Sequence, residues 1–244
     1  ATDSNNTAVG YRAGLLVTTG TNNTLIGSEA GDALAASADN VAVGYQSLST
    51  ETGGQNNVAV GKRTLQNQVN SSGNIYNVAV GSNAGKEITS GIQNTIMGGL
   101  AGDALTDADH NVAVGYGALS TDTKGNKSVA IGRLALENQN FTSATDTQNV
   151  GVGNKAGNAV TTGTDNTLLG ANAGSNVTTG GANIIIGDAD GSANSTSHQI
   201  VMGNSVTGVG QDNFTFGRGT SDSNIAFGAT SISAPSDIRL KEDI

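Results

Sequence analysis

Enzymes that cut polysaccharides hold two carboxylates about 5–10 Å apart across a groove. This chain offers Asp107 with Asp109, Asp188 with Asp190, and the single Glu51. All lie in polar stretches that differ from one part of the chain to the next, so they read as solvated loop surface. His110 and His198 are far apart and unpaired, and the body of the chain shows no nucleophile with a base beside it. The segments DADGS (188–192) and TDADH (106–110) carry carboxylates of the kind calcium takes, but too few ligands for a dedicated loop. No metal site and no cofactor site is expected. Tyr11, Tyr45 and Tyr116 each follow a recurring glycine directly. Rings at that position serve either as outward sugar or surface contacts or as packing between neighbouring repeats.

The elements that must position these residues are repeats. Asn-Val-Ala-Val-Gly, or a close variant, returns with closing glycines at Gly10, Gly27, Gly44, Gly61, Gly81, Gly98, Gly115, Gly132, Gly153, Gly170, Gly187, Gly203, Gly217 and Gly228. Most spacings are 17 residues; two are 20 and 21, and the last three shorten to 16, 14 and 11. A fixed period in this range marks stacked, quasi-one-dimensional architecture. Four residues before the glycine stands Asn in twelve of the fourteen copies, with Ser128 and Gln199 in the others. This Asn suits a turn entry or a ladder of side chains between rungs. The residues one and three before the glycine are apolar or β-branched and share one face of an extended strand. They read as the buried face, and the intervening residue, usually Ala, points the other way. The glycine allows a positive φ or a close backbone approach at the corner.

A longer period sits on the first. Four residues after the closing glycine the chain reads Gly14, Gly31, Leu48, Leu65, then Gly85, Gly102, Leu119, Leu136, then Gly157, Gly174, Gly191. The long spacings fall at the ends of these four-rung blocks, which makes a superrepeat of about 71 residues. GDALAASADNVAVGYQSLSTETG (31–53) against GDALTDADHNVAVGYGALSTDTK (102–124) shows the duplication. The leucines are expected to fill space that glycines leave open in other rungs. Polar stretches such as VTTGTNN (17–23), STETGGQN (49–56) and VTTGTDN (160–166) read as turns and loops. AGDALAAS (30–37) and RLALEN (133–138) could each hold one short helical turn.

Composition agrees. Aromatic residues make up 3 % of the chain, Trp and Cys are absent, and Gly accounts for 36 of 244 residues. Large side chains for a compact core are scarce, disulfides and thiolate metal sites are excluded, and the single Pro235 excludes collagen-like structure. A hydrophobic share of 36 %, periodically arranged, is too apolar for disorder. The net charge of −9 without basic clusters disfavours binding to nucleic acid or to anionic membrane. No apolar run approaches the roughly 20 residues of a membrane span, so no membrane insertion is expected. No signal peptide is visible and Ala1 already lies within the repeat, so the chain reads as a segment of something longer.

These readings give an all-β fold: a repetitive β-roll or β-solenoid fibre with about 17 residues per rung. One short strand per rung leaves a single chain with an apolar face and nothing to cover it. We therefore expect an intertwined parallel homotrimer that buries three Val/Ile columns together and leaves few strand edges. Fourteen rungs at about 4.8 Å give a rod on the order of 65 Å long. Residues 1–203 form the shaft. Residues 204–235, with Phe214, Phe216 and Phe227, form a tapering neck closed by bulkier core side chains.

The last stretch, APSDIRLKEDI (234–244), resembles the opening of the self-cleaving intramolecular chaperone domain at the C-termini of phage tail fibres and tailspikes. That family begins the chaperone with Ser-Asp-x-Arg-x-Lys, matched here by Ser236, Asp237, Arg239 and Lys241. The resemblance implies a Ser236–Lys241 dyad that cuts just before Ser236, the lysine acting as base once burial lowers its pKa. The helical remainder of that domain does not follow within 236–244, so no cleavage by this chain is expected and it is read as no enzyme. The repeats are also similar to the head repeats of trimeric autotransporter adhesins, a β-roll family whose repeats are shorter. Together the resemblances imply a structural virion fibre, extracellular, that contacts other tail proteins and a host-surface glycan or protein receptor; a bacterial trimeric surface adhesin is the alternative.

Overall fold

The structure is a computed structural model and describes residues 4–70, 72–219 and 221–229. The chain winds as a parallel β-solenoid, and no helix occurs among the described residues. Each coil contributes one three-residue strand, such as Thr24–Ile26, Val41–Val43, Val58–Val60 and Val78–Val80, to a single sheet of fourteen strands. The register is kept residue for residue: Ala42 pairs with Ala59, and Ala59 with Ala79 across the 20-residue spacing. The added residues are therefore accommodated outside the strand. They form two small parallel ladders, Gly54–Gln55 with Gly73–Asn74 and Gly125–Asn126 with Thr145–Asp146.

Three residues per strand suffice because the rest of the coil is a fixed series of corners. At the strand's end the glycine takes an otherwise forbidden conformation. Gly98, with φ of 136°, lies so close to the next rung that a Cβ on it would sit 2.5 Å from the carbonyl oxygen of Gly115. Further corners fall two and four residues later, for example at Leu100 (φ 57°) and Gly102 (φ 51°), and five residues before the next glycine at His110 (φ 61°). Where the sequence reads AGDALAAS and RLALEN, these left-handed corners produce turns and no helical turn forms.

The Asn column is a buried ladder. Asn40 accepts the Asn57 backbone N–H at 2.9 Å and its side-chain amide at 3.1 Å on Oδ1, and donates its own amide to the Gly54 carbonyl at 3.1 Å. The pattern repeats through Asn77, Asn94 and Asn111. Where Ser128 replaces Asn, buried Gln139 bridges Ser128 Oγ and the Asn149 amide, and at the other long spacing Gln68 likewise takes the Asn77 amide.

Two expectations from the sequence are reversed. The strand face turned inward is the middle residue: Leu25, Ala42, Ala59, Ala79, Ile96 and Ala113 are fully buried, while the β-branched neighbours are half-exposed. A single coil also encloses its own core, where little burial was expected of one chain, while its β-branched face stays outside and half-exposed. That core is filled by the middle strand residue, a column of small residues three after the glycine (Ala30, Ala84, Ala101, Ala118), the Gly/Leu position, and a position seven after the glycine. Volumes alternate as expected. Where the strand carries Leu25, Ile96 or Leu168, the facing residue of the same coil is glycine, and a Cβ on Gly31, Gly102 or Gly174 would meet those side chains at 2.7, 3.2 and 2.8 Å. In the coils of Ala42, Ala59, Ala113 and Ala130, buried Leu48, Leu65, Leu119 or Leu136 takes the space; in the coil of Ala79 the position is Gly85, and Leu65, Ile88 and Ile96 close in on it.

The terminal coils differ. Ile184–Asp190, Gln199–Thr207 and Asn213–Arg218 are longer strands, and Ser221–Ala226 pairs antiparallel with the strand before it. The 11-residue spacing to Gly228 is thus a hairpin and not a rung. Phe214 and Phe216 lie 4.9 Å apart, half-buried on the outer face, with Thr215 turned inward; Phe227 is largely exposed.

Candidate functional site

Ser236, Lys241 and the rest of 236–244 lie outside the described residues. The acidic residues considered for catalysis or metal binding do not converge. Asp107 is exposed and accepts the Ser90 hydroxyl, Asp109 accepts the Ile92 N–H, and Asp190 accepts the Ser175 hydroxyl and the Asn176 N–H. These carboxylates tie neighbouring coils together. No group of three or more His, Asp and Glu among the described residues could hold a metal ion.

Glu51 is not the solvated residue its loop position suggests. It is fully buried, seven after Gly44 on the inner wall. Its Oε1 accepts backbone N–H groups from Thr52, Gly53, Gly54 and Asn70 at 2.7–3.1 Å, and its Oε2 accepts the Gln68 amide at 2.8 Å. Asp122 repeats the arrangement one superrepeat on, with Gly125, Phe141 and Gln139. A buried carboxylate is costly unless its charge is met by donors. Here the donors come from the carboxylate's own turn and from the next, longer coil (Gln68 and Asn70, or Gln139 and Phe141), so each carboxylate staples the long coil onto the one before it. The role is structural. The signal was visible as Glu-then-Gln and Asp-then-Gln at the same position in successive rungs.

Two outer surfaces remain. The first is the strand face. Val43, Val60, Val80 and Val114 stand half-exposed beside Ile26, Met97, Ile131, Leu169 and Met202, which are each about two-fifths exposed. The columns run along the sheet without a charged residue at either outward position of the three-residue strands. The second is the turn face that follows the glycines, where Tyr11, Tyr45 and Tyr116 are all exposed. Around Tyr116 it holds a notch of about 180 Å³, lined by Leu100, Asp103, Gly117, Ser120, Leu134 and Glu137. Burial, the dominant cause, pushes the Asp103 carboxyl above the usual carboxylate value, and its Oδ1 is buried without a hydrogen-bond partner. Asp32, its counterpart one superrepeat earlier, is shifted the same way for the same reason.

Compared with known proteins, the chain matches no family model, no curated protein and no solved structure.

Proposed function

We propose that the chain is the shaft of a homotrimeric extracellular fibre, a phage tail fibre or related virion appendage that attaches to a host surface. The observation that carries this reading is the uncharged aliphatic strand face, continuous along a rod that already has its own core. Aliphatic columns left half-exposed over so many rungs are a surface made for burial. Three parallel copies around one axis cover them with a single repeated contact, which closes without leaving a further face free. The acidic, cysteine-free, loop-rich exterior suits a protein stabilised by assembly outside a cell. The resemblance of 236–244 to the start of an intramolecular chaperone favours the virion over a bacterial trimeric adhesin. In that reading the chaperone guides trimerisation and leaves a fibre held by a high unfolding barrier. Receptor contacts come from the loops and turns.

Sedimentation equilibrium at micromolar concentration tests the assembly. The expected species has the mass of three 24.1 kDa chains; a species that stays at one chain removes the trimer. The gene sequence beyond residue 244 separates the two hosts. A helical chaperone supports the virion, and a long coiled coil with a membrane anchor supports the adhesin.

A further inference from the structure

The two superrepeats differ at one place where the chemistry is informative. In the first, Gln46 stands two residues after Gly44. Its amide donates to Glu29 at 2.8 Å, and its oxygen accepts from Arg63 Nε at 3.3 Å and from Gln66 at 3.1 Å. One polar side chain thus fills the space between three coils and joins its neighbours. The same position 71 residues later is Gly117, and the partners have changed with it. Glu29 is replaced by Leu100, Arg63 by Leu134 and Gln66 by Glu137, while Asp32, Tyr45 and Ser49 keep their types as Asp103, Tyr116 and Ser120. The plug and the groups it bonded are gone together, and the notch of about 180 Å³ is what they leave.

We propose that this notch binds one neutral pyranose ring of a surface glycan. Its volume is below the roughly 300–1,000 Å³ of pockets for drug-sized ligands, which suits a single ring. Its walls are of two kinds. Leu100, Leu134 and the exposed ring of Tyr116, which lies against Gly99, offer apolar surface to the C–H face of a sugar. Glu137, Ser120 and the Asp103 carboxyl line the notch and offer acceptors for its hydroxyl groups. No cationic side chain lines the notch, so uronic and sialic acids are rejected. A site this small and open binds weakly, and three copies in a trimer compensate through multivalency. The inference rests on the attachment reading for its biological meaning, though not for its chemistry.

The test is saturation-transfer NMR of the whole chain with galactose, glucose, mannose, N-acetylglucosamine and N-acetylgalactosamine, with glucuronic acid as the acidic control. Transfer to at least one neutral sugar and none to glucuronic acid is expected. Gly117→Gln restores the residue of the first superrepeat at a φ that Gln46 itself adopts, 54° against 63° for Gly117, and should abolish the transfer. Tyr45→Ala should leave it unchanged. Should Gly117→Gln fail to fold, Tyr116→Ala and Glu137→Gln replace it, each expected to weaken the transfer at least fivefold. Transfer to no neutral sugar, preference for glucuronic acid, or full binding by the folded variants overturns the proposal. A parallel assay of fluorescent chain on a panel of bacterial surfaces separates the two readings. Cell binding with no transfer to any neutral sugar sinks the notch and keeps attachment; sugar binding with no cell binding keeps the notch and sinks attachment.

Discussion

Replacing Gly98 by Ala, with Gly99→Ala as its control, tests whether the column of closing glycines sets the coil spacing. The two residues are adjacent and differ in everything that matters. At Gly98 the added methyl would lie 2.5 Å from the Gly115 oxygen and 2.7 Å from its carbonyl carbon, both backbone atoms that no rotamer change can move. Relief requires the two coils to part, in a region held by the Gly115 N–H to the Met97 carbonyl at 2.7 Å and the Gly117 N–H to the Gly99 carbonyl at 3.1 Å. Its φ of 136° also lies where L residues are strained. At Gly99 the nearest atoms to an added methyl are Tyr116 Cδ2 at 3.7 Å and the Ser82 oxygen at 4.0 Å, which is ordinary contact. Backbone strain costs about 1–3 kcal/mol, and weakening two ladder hydrogen bonds adds about 1 kcal/mol each. Gly98→Ala should therefore lose roughly 3–5 kcal/mol, and Gly99→Ala should stay within about 0.5 kcal/mol of the parent. Urea unfolding followed by circular dichroism, with all three proteins at one concentration, measures the difference. Because stacked repeats unfold as coupled neighbours, hydrogen exchange should place the Gly98→Ala loss at the coils on either side. A Gly98→Ala loss below about 1 kcal/mol, or one matched by Gly99→Ala, would refute the reasoning that backbone contact between glycines sets the spacing.

Asn94→Ala should cost about 2–4 kcal/mol in the same assay, because it strands the buried Asn111 N–H and the Ala108 carbonyl at once. Ala113→Leu should cost about 1–3 kcal/mol by overpacking against Leu119. Pairing it with Leu119→Gly, which copies the Ile96/Gly102 rung, should recover part of the loss, so a double-mutant cycle with no favourable coupling would contradict the volume exchange. Asp32 has a folded-state pKa raised by burial, so the fold prefers its neutral form, and the penalty is present above the folded pKa and fades as pH falls toward 3.8. Asp32→Asn should raise the urea midpoint at pH 7 and lose that advantage near pH 3.8.

The candidate site shows where reading the chain stopped short. The aligned segments 31–53 and 102–124 contain the Gln46 to Gly117 difference in plain view. It reads as drift between duplicated blocks until the structure shows Gln46 bonded across three coils and the same volume open beside Tyr116. Glu51 and Asp122 were hidden for a related reason. A carboxylate in a Thr- and Gly-rich stretch looks solvated, and only the coil's curvature turns it inward onto the N–H groups of its own loop.

The sequence by itself determined the architecture. A 17-residue period, a glycine that tolerates no Cβ and an Asn in nearly every coil admit little except a stacked roll, because each rung must present the same contacts to the next. It also determined that small and large residues alternate over four rungs, since a column of fixed width conserves volume. Which strand face is the inside was decided only in three dimensions. Alternation says that Val41 and Val43 share a face opposite Ala42, but it is silent on the direction in which the chain bends. The positive-φ corners at Gly44, Gln46 and Leu48 bend it toward Ala42. A narrow coil has room there for one methyl against one Leu, and none for two β-branched side chains. The valines are left outside, where they form the face on which the fibre reading rests.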